Sequence, residues 1–349
     1  MSSLLRSNLV VAAGTALSRA TGLLRTFVFG AVIGQNALSD AYFLANETPN
    51  IVYDLLIGGV LSATLVPLFT SLMPRGDDPA AEQERARATN VLITVAVTLM
   101  AALTVLAMLA APLVFRVYSL TSGGDVDPDL FRQAGTTLTR IFMAQILFYG
   151  LTGVANAYLN SRRRFFAAAW SPILPNLIIV ASLLSLPNAG DRTWQIGEVL
   201  TDSRLRLTLG LGATLGIAAM AAVVVPAMFQ AGLRFRPVFE WRHPVVRKLL
   251  VLSGWTIGFV GANQVALVVV RNLARGQADG IATAYFYAFT FFVLPHGLLA
   301  VSIATTFQPE MARAVSARDK PRFLHHSSLG VRMIALLTGN AFSTFTCMV

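Results

Sequence analysis

Apolar residues run in long blocks along this chain, interrupted by short polar segments rich in Arg, Asp, Pro and Gly. The blocks lie at about 8–33, 40–72, 89–115, 134–159, 165–186, 207–231, 248–273 and 281–307, and a ninth begins near 328. Each complete block can cross a hydrocarbon core of about 30 Å as a helix. Helices satisfy every backbone hydrogen bond within the span, and the alternating segments of roughly 10 residues that build a barrel are not the pattern here. The predicted fold is therefore an all-α polytopic membrane protein with about eight complete transmembrane helices and part of a ninth.

Composition agrees: 55% of residues are hydrophobic and only 13% charged, far from the balance of a soluble domain. The first apolar block continues past the length of a cleaved signal and lacks a convincing small-residue cleavage site, so it is expected to remain as the first helix. A single cysteine, Cys347, excludes an internal disulfide, and no Cys/His cluster offers a metal site. No cofactor is expected.

A net charge of +10 raises the question of nucleic acid, which the distribution of the charge answers. The N-terminus and the loops after spans two, four, six and eight hold sixteen basic residues, and the alternate loops hold six. That asymmetry is the positive-inside pattern, so it reads as topology with a cytoplasmic N-terminus and excludes a nucleic-acid patch. Arg162, Arg163 and Arg164 are then cytoplasmic, and the loop from Asn188 to Arg206 faces out.

An internal repeat is visible between spans two and eight. Ala41-Tyr42-Phe43 reappears as Ala284-Tyr285-Phe286, and Ser62-Ala63-Thr64 before Pro67 is echoed by Ile303-Ala304-Thr305 before Pro309. Six spans separate the copies, which predicts parallel repeats: a six-helix N-terminal lobe over residues 1–235 and the start of a second pseudo-repeat lobe over 236–349. Because the chain stops in its ninth span, that second lobe is expected to be partial and unable to support transport alone.

Two arginines stand inside the first span. Arg19 is roughly 16 Å from the inner end and Arg25 roughly 12 Å from the outer end at 1.5 Å per residue. A central arginine costs about 2.5–3.5 kcal/mol on insertion scales and usually faces a bundle interior or a water-filled cavity. The two side chains point about 120° apart, so one lipid-facing stripe cannot hold both, while Ser18, Gly22 and Arg25 share a face. Small residues such as Gly22 permit close helix approach or bending.

Span two adds "ANETPNIVYD", Ala45 to Asp54. Pro49 removes a backbone donor and disfavours helix at Thr48, predicting a kink with freed carbonyls. Glu47 falls roughly 10 Å and Asn50 roughly 15 Å below the outer end at Asp40, the level of Arg25. Glu47 is a candidate partner for Arg25 or a direct ligand, and Asn50 a candidate cavity-lining group. Arg271, at the outer end of span seven, is expected to snorkel. Asp125, Asp127 and Asp129 lack the glycine and distant glutamate of a calcium loop, and His243 is expected to be solvated.

The order Ser18-Arg19, Gly22, Arg25, Asp40-Ala41, Pro49-Asn50, Gly59 and Val66-Pro67 resembles the N-terminal signature of the MurJ (MviN) family of lipid II flippases, within the multidrug/oligosaccharidyl-lipid/polysaccharide exporter superfamily. The likeness extends to about residue 335, including Arg162-Arg163-Arg164-Phe165 and Pro295-His296-Gly297. The resemblance implies fourteen helices in two six-helix lobes plus two, a central cavity, and alternating-access movement of lipid-linked peptidoglycan precursor to the outer leaflet of a bacterial plasma membrane. It also implies lipid II and membrane lipids as partners, cell-wall synthesis proteins as further ones, and no covalent step.

Carried onto this chain, the substrate site comprises Arg19 and Arg25 with Ser18, Glu47 and Asn50, and Gly22, Pro49 and Asp40 serve structure or gating. Arginine forks suit a pyrophosphate. The chain departs from the family at Tyr53-Asp54 and Gly58-Gly59, where an arginine and then a Glu-Gly pair are common, and at Phe289-Thr290, where an Asp-Arg pair is common. Two readings compete: a flippase for another polyprenyl-linked oligosaccharide, or a drug/cation exporter, which would require a buried acid such as Glu47 or Asp54 as its cation site. A membrane transferase would need clustered carboxylates, and the acids here are scattered.

Overall fold

The computed structural model describes residues 3–54, 65–74, 76, 78–121, 123–187, 192–295, 307, 311, 314 and 319–346, without the side chains at 3–10, 52–54, 252–261, 263, 294–295 and 337–346. Among the described residues every regular element is a helix: α1 Ser3–Ile33, α2 Ala37–Asp54, α3 Val66–Ser71, α4 Pro79–Leu109, α5 Ala111–Tyr118, α6 Pro128–Met143, α7 Gln145–Ser161, α8 Phe166–Trp170, α9 Ile173–Leu184, α10 Glu198–Thr201, α11 Ser203–Gln230, α12 Pro244–Arg275, α13 Ile281–Pro295 and α14 Lys320–Thr346. Five helical stretches among them are long and apolar enough to cross a membrane: Val11–Ile33, Pro79–Leu109, Pro128–Ser161, Phe166–Leu184 and Ser203–Gln230. The protein is a multi-pass membrane protein.

Helix starts follow local chemistry. Asp78 and Asp127 each stand just before a proline, and their carboxylates accept from Ala80 N (3.2 Å) and from Asp129 N (2.7 Å) and Leu130 N (3.0 Å). Such capping satisfies orphan N–H groups, and the following proline has none to lose. Asp127 of the acidic loop is therefore a helix cap. His243, expected to be solvated, caps α12 instead: its Nδ1 accepts from Val245 N at 3.2 Å and its Nε2 lies 3.2 Å from Glu84.

Several spans are less continuous than hydropathy predicts. The third is divided at Ala110, just before Pro112, and the fifth around Pro172. A proline lacks the N–H that would continue the ladder and collides with the preceding turn. The fourth divides at Ala144 into α6 and α7. In contrast, α2 runs through Pro49 as helix, and residues 55–64, the middle of the predicted second span, lie outside the described residues.

The chain forms two compact units, Met1–Thr283 and Ala284–Val349. In the first, α11 packs on α7 and α9, α1 on α8 and α9, and α2 on α6 and α7. One buried cluster gathers the end of α1, the start of α2, α5, α6 and the start of α11 around Phe29, Tyr42, Phe115, Phe142 and Trp194. A second gathers α3, the first half of α4 and the ends of α7 and α11 with the first turns of α12, around Val91, Leu92, Tyr158, Val224 and Val246. In the second unit, Tyr285, Phe289 and Phe292 stack in a row along α13 with centroids 6.2 and 6.3 Å apart.

Candidate functional site

Helix α1 seats one face on α9. Asn176 Nδ2 donates to the Ser18 carbonyl (3.1 Å) and to Thr21 Oγ1 (3.2 Å), and Gly22 lies beside the same amide. A short polar side chain can reach the α1 backbone because glycine at 22 leaves the way open. Ser18 and Gly22 thus belong to the α1–α9 seam. Arg19 projects from the other side and is exposed, whereas Arg25 is half-buried and within electrostatic reach of Tyr42 on α2. Neither guanidinium engages in an ion pair among the described residues.

Helix α2 carries the other candidates, and each meets a different neighbour. Asn50 Oδ1 accepts from the Tyr149 hydroxyl of α7 at 2.9 Å. Pro49 is buried. Glu47 Oε1 lies 2.6 Å from Arg271 Nη2 of α12, with the side chains 18% and 14% exposed. The expected Glu47–Arg25 pairing is therefore replaced by Glu47–Arg271, and Arg271 does not snorkel. Its guanidinium also sits 5.7 Å from the centre of the Tyr118 ring. Withdrawn from water, an arginine gains more from a carboxylate and an aromatic face than from a long reach to the surface.

Asp40 is wholly buried. Its Oδ2 accepts from Gly280 N (2.8 Å), and its Oδ1 accepts from Thr283 N (2.8 Å) and Thr283 Oγ1 (2.6 Å). These are the orphan donors at the start of α13, so Asp40 acts as a helix cap supplied from α2. Nearby, Asn272 closes the seam between α12 and the turn after α5: its Nδ2 donates to Val117 O (2.8 Å) and its Oδ1 accepts from Leu120 N (2.8 Å). Arg275, 1% exposed, pairs with Asp279 (2.8 Å), donates to Gly123 O (2.9 Å) and covers the Phe131 ring.

The buried Asn272, Arg275 and Thr283 were not among the sequence candidates, and Arg271 was weighed only as a snorkelling residue. A signal existed in the spacing: Arg271, Asn272 and Arg275 fall within one turn, on the face that also carries Val268. Which helix they would meet is not written in the spacing. Thr290 donates to the Phe286 carbonyl of its own helix at 2.9 Å. The side chains of Tyr53 and Asp54, and all of Gly58, Gly59, His296 and Cys347, lie outside the described residues. Among the described residues no group of three His, Cys, Asp or Glu could hold a metal ion.

The chain matches the family model described as lipid II flippase MurJ over residues 29–348. It is 26% identical over 337 residues to a probable lipid II flippase MurJ of Vibrio cholerae, covering 96% of this chain and 61% of that protein. Against a Haemophilus influenzae protein of the same description the identity is 28%, over 93% of this chain and 62% of the relative. Against the lipid II flippase MurJ of Burkholderia cenocepacia it is 27%, over 96% and 62%. The chain thus spans about three fifths of the length of these relatives. A solved structure, lipid II flippase MurJ in an inward closed conformation, shares the fold with a TM-score of 0.72 at 21% identity, over 94% of this chain and 63% of that one. By the span of the family match and the arrangement of its helices, the chain belongs to the MurJ lipid II flippase family.

Proposed function

We propose that this chain forms the N-terminal lobe, residues 1–235, and the beginning of the second lobe, 236–349, of a flippase that carries lipid II from the inner to the outer leaflet of the bacterial plasma membrane. The observation that supports this most directly is the family match over residues 29–348, together with the two arginines that fall inside the first apolar span of the sequence. Movement is by alternating access, two bundles rocking about a site between them, without a covalent step. The N-terminus is cytoplasmic, as the excess of Arg and Lys on alternate loops implies. Cell-wall synthesis proteins are the natural partners of such a carrier.

Within this reading Arg19 and Arg25 meet the pyrophosphate, whose two negative charges match planar guanidinium forks. Asn50 borders the same space, the Glu47–Arg271 pair forms its outer wall, and Ser18, expected to line it, lies instead in the α1–α9 seam. Gly22 and Pro49 let α1 and α2 adjust. Asp40, by capping α13 from α2, closes the outer side.

Depleting the gene and measuring which polyprenyl-linked precursor accumulates in the inner leaflet tests the proposal. Accumulated lipid II is the expected result. An unchanged lipid II pool with another stalled glycolipid would assign the chain to that glycolipid instead.

A further inference from the structure

A cavity of about 170 Å3 opens where the end of α3, the first turns of α4, the end of α7 and the segment after α11 meet. Three arginines from three separate segments line it: Arg85 of α4, Arg162 at the end of α7 and Arg234 after α11. Glu82 is the single carboxylate on the same rim, so the rim is net positive. The floor is apolar. Phe69 meets Tyr158 edge to face at 5.6 Å, and Leu233 is buried beside them.

The backbone builds this arrangement. Helix α11 ends with Gly232 in the left-handed region (φ 94°), with Gly232 N bonded to Phe229 O and Leu233 N to Met228 O. That reversal needs the freedom of glycine; it turns Leu233 inward and carries Arg234 to the rim. At the end of α7, Arg162 is held over the Tyr158 ring at 5.1 Å. The rim is thus set by helix termini rather than by loose side chains alone.

Its neighbours fix its depth. Directly after Arg162-Arg163-Arg164 come Phe165 and the short helix α8, where Phe166 is 64% exposed and stacks on Trp170. Exposed aromatic residues beside a basic run are the signature of the membrane–water interface. Basic pockets between helices at that level suit anionic lipid headgroups, each cation close to the surface adding to the attraction.

We propose that this cavity binds the phosphodiester headgroup of an anionic glycerophospholipid, with the guanidinium groups on the phosphate and the Phe69–Tyr158 floor under the first carbons of the lipid. The site is separate from Arg19 and Arg25 and does not depend on what the flippase carries. A soluble phosphate would meet the same cations but would gain nothing from the floor.

Native mass spectrometry of the purified protein with phosphatidylglycerol or phosphatidylcholine tests this. The Arg162→Gln/Arg234→Gln variant should hold phosphatidylglycerol about thirtyfold more weakly, while the equally charged Arg242→Gln/Arg247→Gln variant stays near the parent. The Arg162→Lys/Arg234→Lys variant, which keeps the charge, should lose less, so a folding defect in the first variant would not mask the result. Equal losses in the two Gln variants would overturn the site, because general attraction would then explain the binding. Equal retention of phosphatidylcholine, or displacement of phosphatidylglycerol by millimolar soluble glycerophosphate, would overturn the lipid assignment.

Discussion

Asp40 accepts two hydrogen bonds from Thr283, one from its backbone N–H at 2.8 Å and one from its hydroxyl at 2.6 Å. Directly after these two residues come Ala41-Tyr42-Phe43 and Ala284-Tyr285-Phe286, the matching segments from which the sequence analysis expects a repeat. The Ser39 hydroxyl lies 2.9 Å from the Thr283 hydroxyl and adds to this polar contact. A buried polar seam can part and be rehydrated at lower cost than an apolar one, since water replaces each bond it loses.

Replacing Asp40 by Ala should cost on the order of 3 kcal/mol, because two backbone N–H groups are left buried without acceptors. Asn, which keeps one acceptor oxygen, should cost less. Thermal unfolding in detergent measures both, and an unchanged midpoint for Asp40→Ala would show that the seam does not hold the fold. In the full-length flippase, oxidising the Asp40→Cys/Thr283→Cys pair should stop transport and reductant should restore it. Full transport by the crosslinked protein would show that the outer side need not part here.

The Glu47–Arg271 pair leads to an asymmetric expectation. Glu47→Ala strands a largely buried guanidinium, a loss of about 3–5 kcal/mol for the broken pair, whereas Glu47→Leu/Arg271→Met removes both charges and should recover most of the stability. Melting temperatures of the single and double variants decide it. A double variant no more stable than the single one would mean that the pair is not the unit holding α2 to α12.

Glycines on the α9 seams divide into two kinds. A Cβ on Gly216 would come within 2.9 Å of Pro175 Cα, a backbone atom, whereas one on Gly22 would be 3.6 Å from the Asn176 amide. Gly216→Ala should therefore destabilise by roughly 1–3 kcal/mol through overpacking. Gly22→Ala should fold normally. If Gly22→Ala then slows transport at normal expression, bending of α1 rather than packing is what the glycine supplies; a folding defect there would reverse that reading.

The chain's organisation was largely legible, because span lengths are dictated by the bilayer and helix starts by Asp-Pro pairs such as Asp78-Pro79 and Asp127-Pro128. The division at Ala144 was not, since the residues on both sides of it, Ile141-Phe142-Met143 and Ile146-Leu147-Phe148, are apolar and hydropathy has no view of a local turn. The arginine at 271 was visible, but its destination was not: pairing with Glu47 spans more than two hundred residues and depends on how α2 and α12 lie in the first unit. Asp40 was marked as important by the family's pattern. Its role as a cap on α13 needed coordinates.

Arg19 and Arg25 carry the sharpest test of the proposed substrate site. Their depth in α1 is costly, and no carboxylate among the described residues neutralises either. A residue kept for structure would have acquired a partner, as Arg271 and Arg275 have. Arg19→Ala and Arg25→Ala should therefore insert and fold at least as well as the parent, since a cation is removed from the span. In a complementation assay of the full-length protein each should fail. Lysine should rescue poorly, because it keeps the charge but not the two-pronged fork that grips a phosphate. Growth of cells that depend on both alanine variants at normal expression would refute the anion site and leave the two arginines without a transport role.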